Sequence, residues 1–470
     1  MAAMAILHGL SPAPVERCRV LEIACGDGAN LIPMAYAIPG GEFVGFDLAL
    51  SPIERGQERI HELGLQNIKL FQRDLLEVGT ELGQFDYITA HGLYAWVPEP
   101  VRDRMLALCG ELLTPDGIAF VSYNTLPGGH LRVMLREMML YSTQGIGDAR
   151  ERVVQGIRFL EFLKDAREES DAFRALLETQ LAKMKKRDPA ITCHDEMTEA
   201  YHPVYFSGFV DHARRHGLQY LSDAELPPPP DPCYSGQIQA ALEDAAGGDD
   251  VRREQLLDFV RMRMYRETLL CRADRAVQRG FAPESFRRLY FASHASASPG
   301  EAPGSTAFVL PGGIRMESNH AGVTALLTRL GSVWPRALGF DELEPLLAEN
   351  GFVLDANGAA LLIRLAIAKM IELHGWQAPV AQTLAERPKA SAVCLQEASS
   401  RPYATSLLHE AVSLEDPQVR ALLKLLDGTR DRDRLRAAMS AEFPDESGEE
   451  VDAGLERSLS LFYAAGVLQA

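Results

Sequence analysis

At 470 residues the chain exceeds what one hydrophobic core can serve, since single cores stop growing at about 250 to 300 residues, so two to four domains are expected. A composition that is 47% hydrophobic and 24% charged belongs to a folded chain without a disorder signature. The 47 basic against 65 acidic residues, a net charge of -18, repel a phosphate backbone and argue against a general nucleic-acid binder, while suiting a cationic partner or solubility alone.

The opening MAAMAILHGLSPAP has no basic stretch before its brief apolar run, and no later segment approaches 18 uninterrupted apolar residues. Neither an export signal nor a membrane span is expected. From Arg19 short apolar runs alternate with amphipathic stretches: RVLEIA, NLIPMAYAI, EFVGFD, SPIERGQERIHELG, IKLFQRD, FDYITA, PVRDRMLALCGELL and GIAFVSYN. That alternation is the pattern of βαβ units around a parallel, Rossmann-like sheet. Ser51-Pro-Ile-Glu54 reads as a capping box with proline at the first helical position, starting a helix that runs toward Gly64.

After LPGGHLRVMLREMMLYS the residues from about Gly145 to Ala190 are charged and helical, as in an insertion. VYFSGFVDHARRHGLQYLSDAE, within about 203–225, then reads as a helix and a short strand returning to the sheet. ELPPPPDP and AAGGDD are turn or linker segments, and ASASPGEAPGS (Ala295 to Ser305) is the strongest candidate boundary. The expected division is a sheet core over 1–145, a helical middle region over 146–295, and helical, winged-helix-like modules over 306–390 and 391–470. Their acidity disfavours DNA reading and leaves a scaffold or protein-contact role.

Seven scattered cysteines without a C-x-x-C pair suggest neither disulfides nor a zinc knuckle, and point to a reducing, cytoplasmic home. His194, Asp195, Glu196 and His202 do not have zinc spacing, so no metal is expected there.

Glu22-Ile-Ala-Cys-Gly-Asp-Gly28 lies where the first strand ends and a helix begins, with Asn30 next on that helix. Gly26 and Gly28 let a ligand approach the backbone. The third glycine of a dinucleotide loop is Leu31 here, and Glu22 and Asp27 would repel a diphosphate, so a nicotinamide dinucleotide is disfavoured and a cationic or zwitterionic ligand is favoured. Asp47, followed by Leu48, ends the second strand, where a carboxylate can accept from both hydroxyls of a ribose. Asp74 ends the third strand and could accept from an adenine amine, with Leu75 as an apolar wall. Each carboxylate alone has a plain reading as a cap or turn residue; in series they describe a nucleoside site.

This order of motifs, over roughly residues 19 to 124, resembles the class I methyltransferases. The resemblance implies S-adenosylmethionine as cofactor, its methionine part on the glycine loop and its ribose at Asp47, with Ala24 standing where the class often has glycine. ANLIPMA, HGLYAWVP, SYNTLPGG, CHDEMTEAYHPVYF, GLQYLSDAE and RMYRETLLC further resemble the rickettsial-type protein lysine methyltransferases and relatives that carry a methyltransferase regulatory domain. That resemblance implies a middle domain, C-terminal helical domains and methyl transfer to lysine side chains of a surface or outer-membrane protein substrate. An oligomer such as a homodimer is compatible with it, whereas nucleic acid and membrane are not expected as partners. Glu196 and Tyr201 are implied to reach the substrate channel. Relatives carry more chain before the first strand, including tyrosines that help close the cofactor site. Eighteen residues precede Arg19 here, which reads as a missing lid or a start placed late.

Methyl transfer needs an aligned nucleophile and exclusion of water. The residues placed for that work are Tyr94 and Trp96 after the fourth strand and Tyr123 and Asn124 after the fifth, with His91 orienting the cofactor carboxylate in preference to acting as a base. Packing is the other reading of the Tyr94 and Trp96 rings. The alternatives to a protein-lysine enzyme are a small-molecule methyltransferase and a non-catalytic cofactor-binding regulatory protein.

Overall fold

The computed structural model describes residues 1–186, 192, 195–198, 200–226 and 236–469. The expectations that fall on Cys193, His194, Cys233 and the proline run 227–232 lie outside them. The central sheet has seven strands: β1 (Arg19–Ile23), β2 (Glu42–Asp47), β3 (Ile68–Gln72), β4 (Phe85–Ala90), β5 (Leu113–Asn124), β6 (Leu218–Asp223) and β7 (Tyr265–Arg272). Their order is β3-β2-β1-β4-β5-β7-β6. The first five run parallel, and β7 is antiparallel to both neighbours. The order reverses between β1 and β4, which brings the carboxyl ends of β1, β2 and β4 to one crevice.

Both faces of the sheet are covered, which is why RVLEI and FDYITA read as continuous apolar runs. Val20, Phe43, Leu70 and Tyr87 face α1 (Ala2–Leu7), α2 (Leu31–Ala37) and α3 (Leu50–Leu63). Leu21, Val44, Ile88, Val121 and Tyr123 face α4 (Glu99–Leu112) and the helix preceding β6. Helix α3 starts one residue before Ser51, on Ala49 as N-cap, and the expected capping box is absent. The Asp47 carboxylate has taken the Ala49 N–H at 2.8 Å, and Ser51 Oγ accepts from Arg55 instead.

Between β5 and β6 the chain forms α5 (Gly129–Ser142), α6 (Ala149–Asp165) and α7 (Ala172–Lys185), which share a separate small core around Leu135, Met139, Leu160 and Leu177. The chain then returns through α8 (Phe206–Arg215) to β6, and through α9 (Gly236–Ala246) and α10 (Asp250–Arg261) to β7. The sheet therefore does not end with the first 145 residues. β6 lies in the 203–225 segment expected to return to the sheet, and β7 comes from the rest of the stretch expected to be helical, because β5 alone would leave a long apolar edge unpaired.

The Ala295–Ser305 stretch is not a linker. Ser296–Pro299 pairs with Thr306–Val309 in a three-stranded antiparallel sheet, and the glycines and prolines form its hairpin. Phe291, Phe308, Leu327, Phe340 and Leu343 of this module are continuous with the core beneath α1 and α2, so no core boundary falls there. The last module has its own core, from Ala381 to Leu468, and a two-stranded wing, Tyr403–Thr405 with Ala411–Ser413. Among the described residues no helix is long and apolar enough to cross a membrane.

Candidate active site

The loop after β1 turns through three left-handed residues, Ala24 (φ 59°), Gly26 (φ 56°) and Gly28 (φ 70°). A Cβ on Gly28 would meet Leu70 Cδ1 at 2.9 Å, so that glycine serves packing, whereas a Cβ on Gly26 would meet nothing within 4 Å. The open side of the loop is at Gly26. An alanine in the left-handed region costs about 1–2 kcal/mol, so Ala24 holds its conformation against its own preference. Ala24→Gly is expected to raise the stability of the sheet domain by about 1 kcal/mol in denaturant unfolding; an unchanged or lower midpoint would contradict this account of the loop.

Three carboxylates stand at the strand ends around the loop. Asp47 Oδ2 accepts from the Gly26 N–H at 2.9 Å while Oδ1 caps Ala49, so this side chain ties the end of β2 to the glycine loop. Asp74 caps the turn after β3 by accepting from the Leu76 N–H at 2.9 Å. Leu75 turns into the core against the sheet and offers no surface there, whereas Leu48 is 66% exposed beside Asp47. Glu22 is buried; Oε1 accepts from Asn30 Nδ2 at 2.9 Å and Oε2 has no partner among the described residues. Burial pushes its pKa up to about 7, partly offset by the Asn30 hydrogen bond.

Asp27 does not face the open side of the loop. Its Oδ1 caps Ala29 at 3.2 Å and its Oδ2 pairs with Arg401 of the last module at 2.6 Å. The same module sends His409 Nε2 to within 2.7 Å of Asn30 Oδ1. Arg59 of α3 pairs in turn with buried Glu397 at 2.9 Å. Glu22, Asn30 and His409 thus form a hydrogen-bonded line from β1 into the C-terminal module.

At the carboxyl ends of β4 and β5 a cavity of about 410 Å³ opens between the sheet and the α5–α7 helices. His91, Trp96 and Asn124 line it, as do Arg132, Lys183, Asp195, Glu196 and Tyr265. His91 is exposed and lies 3.1 Å from Ser122 Oγ through Nδ1. Trp96 packs on Tyr201 with ring centroids 4.8 Å apart, and the guanidinium carbons of Arg132 and Arg136 lie 5.3 and 5.5 Å from the indole centre. Arg132 pairs with Asp195 at 3.0 Å and Glu196 at 2.7 Å.

Two of the expected catalytic residues are elsewhere. Tyr94 is 2% exposed, meets Phe209 edge-on at 5.0 Å and bonds His212 Nδ1 through its hydroxyl at 2.8 Å. Tyr123 is 1% exposed, stacks on Phe209 at 4.1 Å and bonds the Thr268 hydroxyl at 3.0 Å. Side chains alternate along a strand, so with Ser122 and Asn124 turned toward the cavity, Tyr123 must enter the α4/α8 core. Packing explains Tyr94; of the three rings in HGLYAWVP, His91 and Trp96 line the cavity and Tyr94 does not.

The sequence reading missed Arg132, Lys183, Tyr265, Arg401 and His409. Tyr265 follows RMRM at the start of a strand inside the region expected to be helical, and the contacts of Arg401 and His409 span more than 370 residues, which no local pattern reports.

Three family descriptions match along this chain: a methyltransferase domain at residues 20–117, a predicted methyltransferase regulatory domain at 188–272, and a PKMT C-terminal winged helix domain at 386–449. Uncharacterized protein RP028 of Rickettsia prowazekii is 32% identical over 216 residues, which are 46% of this chain and 86% of that protein. The chain belongs to the class I methyltransferases that carry a methyltransferase regulatory domain. The methyltransferase is also 35% identical to uncharacterized protein RP789 of the same organism over 291 residues, and the match spans 61% of this chain and 52%, about half, of that relative. PKMT2 from Rickettsia typhi, solved in complex with AdoHcy, shares its fold, with a TM-score of 0.88 at 24% identity over 99% of this chain and 96% of that one. In this methyltransferase the residues matched as regulatory domain include β6 and β7, so they complete the catalytic-type sheet as well as following it.

Proposed function

We propose that the protein is an S-adenosylmethionine-dependent methyltransferase that modifies lysine side chains of a protein substrate. The match of residues 386–449 to a domain defined for the PKMT group carries the lysine part of this reading. The residues around the loop fit the cofactor. Glu22 Oε2, buried and without a partner among the described residues, suits an ammonium group; the open side of Gly26 admits the methionine part; Asp47 accepts from ribose hydroxyls. When bound, the cofactor supplies an activated methyl group on a sulfonium.

The chain's own residues position the acceptor and control its charge. Among the described residues the cavity is lined by Arg132 and Lys183 against Asp195 and Glu196, so its charges balance, while Arg136 is buried behind the Trp96 ring. Desolvation beside Trp96, Leu135 and Met184 lowers the pKa of an entering lysine, so its amine arrives with a free lone pair. Trp96 and Tyr265 exclude water from the stem of that side chain, and the Asn124 side-chain carbonyl can accept from the amine and aim it. Incubation with labelled cofactor and candidate surface proteins should label a polypeptide at lysine. Cofactor binding without any labelled polypeptide would overturn the protein-substrate reading. The same cavity would also admit a small molecule, and a labelled dialysable product would identify that alternative.

Glu22 gives the cofactor step a pH signature. Its folded pKa, about 7, lies above the ordinary 4.5, so in the ligand-free protein its burial favours the protonated form. The associated stability is fully present below about 4.5 and is lost as pH rises through about 7. An ammonium at Oε2 requires the carboxylate. Affinity should therefore rise with pH up to about 7 and level off above it, with proton release on binding at pH 6. Calorimetry in buffers of different ionisation heat measures both, and Glu22→Gln should flatten the profile. A flat profile in the wild-type protein would separate Glu22 from the ligand.

A further inference from the structure

We propose that Asp103, His212 and His216 form a binding site for a divalent transition-metal ion, on the α4/α8 side of the sheet and apart from the cofactor loop. Asp103 stands on the outer face of α4. His212 and His216 are four residues apart at the end of α8, so their rings project from one side of that helix. Asp103 Oδ1 lies 3.0 Å from His212 Nε2 and 2.9 Å from His216 Nε2, and the three ligating atoms fall within 4.8 Å of one another. A metal ion with bonds of about 2.0–2.2 Å to imidazole nitrogen and carboxylate oxygen sets its ligands roughly 3–3.5 Å apart, so two of the three edges already have that length.

The groups behind the ligands fit the same assignment. The Tyr94 hydroxyl, 2.8 Å from His212 Nδ1, fixes that ring from its far side and leaves Nε2 aimed at Asp103. Metal-bound histidines are held in this way by a partner on the other nitrogen. Asp103 is half-exposed at 53% and His216 is 17% exposed, so an ion has a path in and water can complete the shell. Two imidazoles with one carboxylate suit zinc, cobalt(II) or nickel(II) rather than magnesium or calcium. The ion would clamp α4 to α8 and, through Tyr94, steady the short turn that carries Trp96 at the acceptor cavity. This assignment is independent of the proposed methyl acceptor.

The test uses the full chain after dialysis against a chelator. Cobalt(II) titration should give saturable one-to-one binding with visible d–d absorption and no thiolate charge-transfer band, and zinc should displace it. Asp103→Ala and His216→Ala should each abolish that signal, and Tyr94→Phe, which keeps the ring but frees His212 Nδ1, should weaken binding by about 10–100-fold. His216→Gln, at a solvent-accessible helix end, guards against a variant that merely misfolds. If it retains the wild-type circular dichroism and still binds one equivalent, the assignment is overturned. Absence of saturable binding by the wild-type chain, or a thiolate band in its place, also overturns it and leaves Asp103 as the hydrogen-bond acceptor for both rings.

Discussion

Asp47→Ala is expected to weaken S-adenosylmethionine binding by at least about a hundredfold while leaving the chain folded. The carboxylate performs two tasks. Toward the protein, it accepts from the Gly26 N–H at 2.9 Å and the Ala49 N–H at 2.8 Å, joining the glycine loop to the start of α3. Toward a ligand, the remaining lone pairs of its two oxygens can accept from neighbouring hydroxyls of a ribose. Hydrogen bonds to a charged group contribute about 1.5–3 kcal/mol each, so losing two amounts to roughly a hundredfold or more. The backbone groups that Asp47 releases lie near the surface, where water can replace it, and the loss of stability should be small by comparison. Calorimetry on Asp47→Ala and Asp47→Asn separates the tasks. The asparagine retains an acceptor but not the charge, and should fall between alanine and wild type. Wild-type affinity in the alanine variant would mean that the nucleoside lies elsewhere.

The residues of this loop were legible from sequence because each sits at a strand end, and strand ends are marked by local pattern: RVLEI before Glu22-to-Gly28, EFVGF before Asp47 and IKLFQ before Asp74. Period-two alternation could also have removed Tyr123 from the site, since Ser122 and Asn124 cannot share a face with it. GIAFVSYN as a bare apolar run does not distinguish its two faces, which is why Tyr123 stands among the expected site residues. Tyr94 was less accessible to such reasoning, because its burial depends on Phe209 and His212, more than 110 residues later. The same limit hid β7. RMYRETLLC has helix-compatible residues, and only its place between β5 and β6 makes it a strand. Composition misled at ASASPGEAPGS for a related reason. Glycine, proline and serine mark a turn, but they do not say whether that turn lies between domains or inside a hairpin.

The contacts from the last module change what that module does. Its acidity alone points to a scaffold or protein-contact role. Arg401 on Asp27 and His409 on Asn30 instead make it a support for the glycine loop, the Asn30 amide passing the contact on to Glu22. Arg401 and Asp27 retain side-chain exposures of only 16% and 25%, so their pairing is less screened than a surface ion pair and fixes the loop's outer edge. A ligand on the loop's open side therefore meets a backbone held from behind by a module nearly 400 residues away in the chain.

Arg266→Met is expected to destabilise the protein by about 3–5 kcal/mol, the cost of breaking a buried ion pair by removing one partner. Arg266 is fully buried on β7. Its Nε and Nη2 meet the Asp258 carboxylate at 2.9 and 2.8 Å, Nη1 meets Asp223 at 2.8 Å, and Nη2 also meets Glu254 at 3.0 Å, while the guanidinium lies over Phe206. Methionine fills much of the volume but leaves Asp258, whose side chain is 1% exposed, as a buried charge offset by Arg263 at 3.8 Å alone among the described basic residues. Burial already raises the Asp258 pKa against the pull of Arg266, so without the arginine it should protonate more readily. The variant's deficit should then shrink as pH is lowered. The consequence reaches the cavity through the ladder, because Arg266 stands opposite Tyr123, and the next pair is Asn124 with Tyr265, both lining it. Urea unfolding at neutral and acid pH measures the effect. A loss below about 1 kcal/mol, or a deficit that grows on acidification, would mean that β7 is held by its backbone ladder and the Arg266 network adds little.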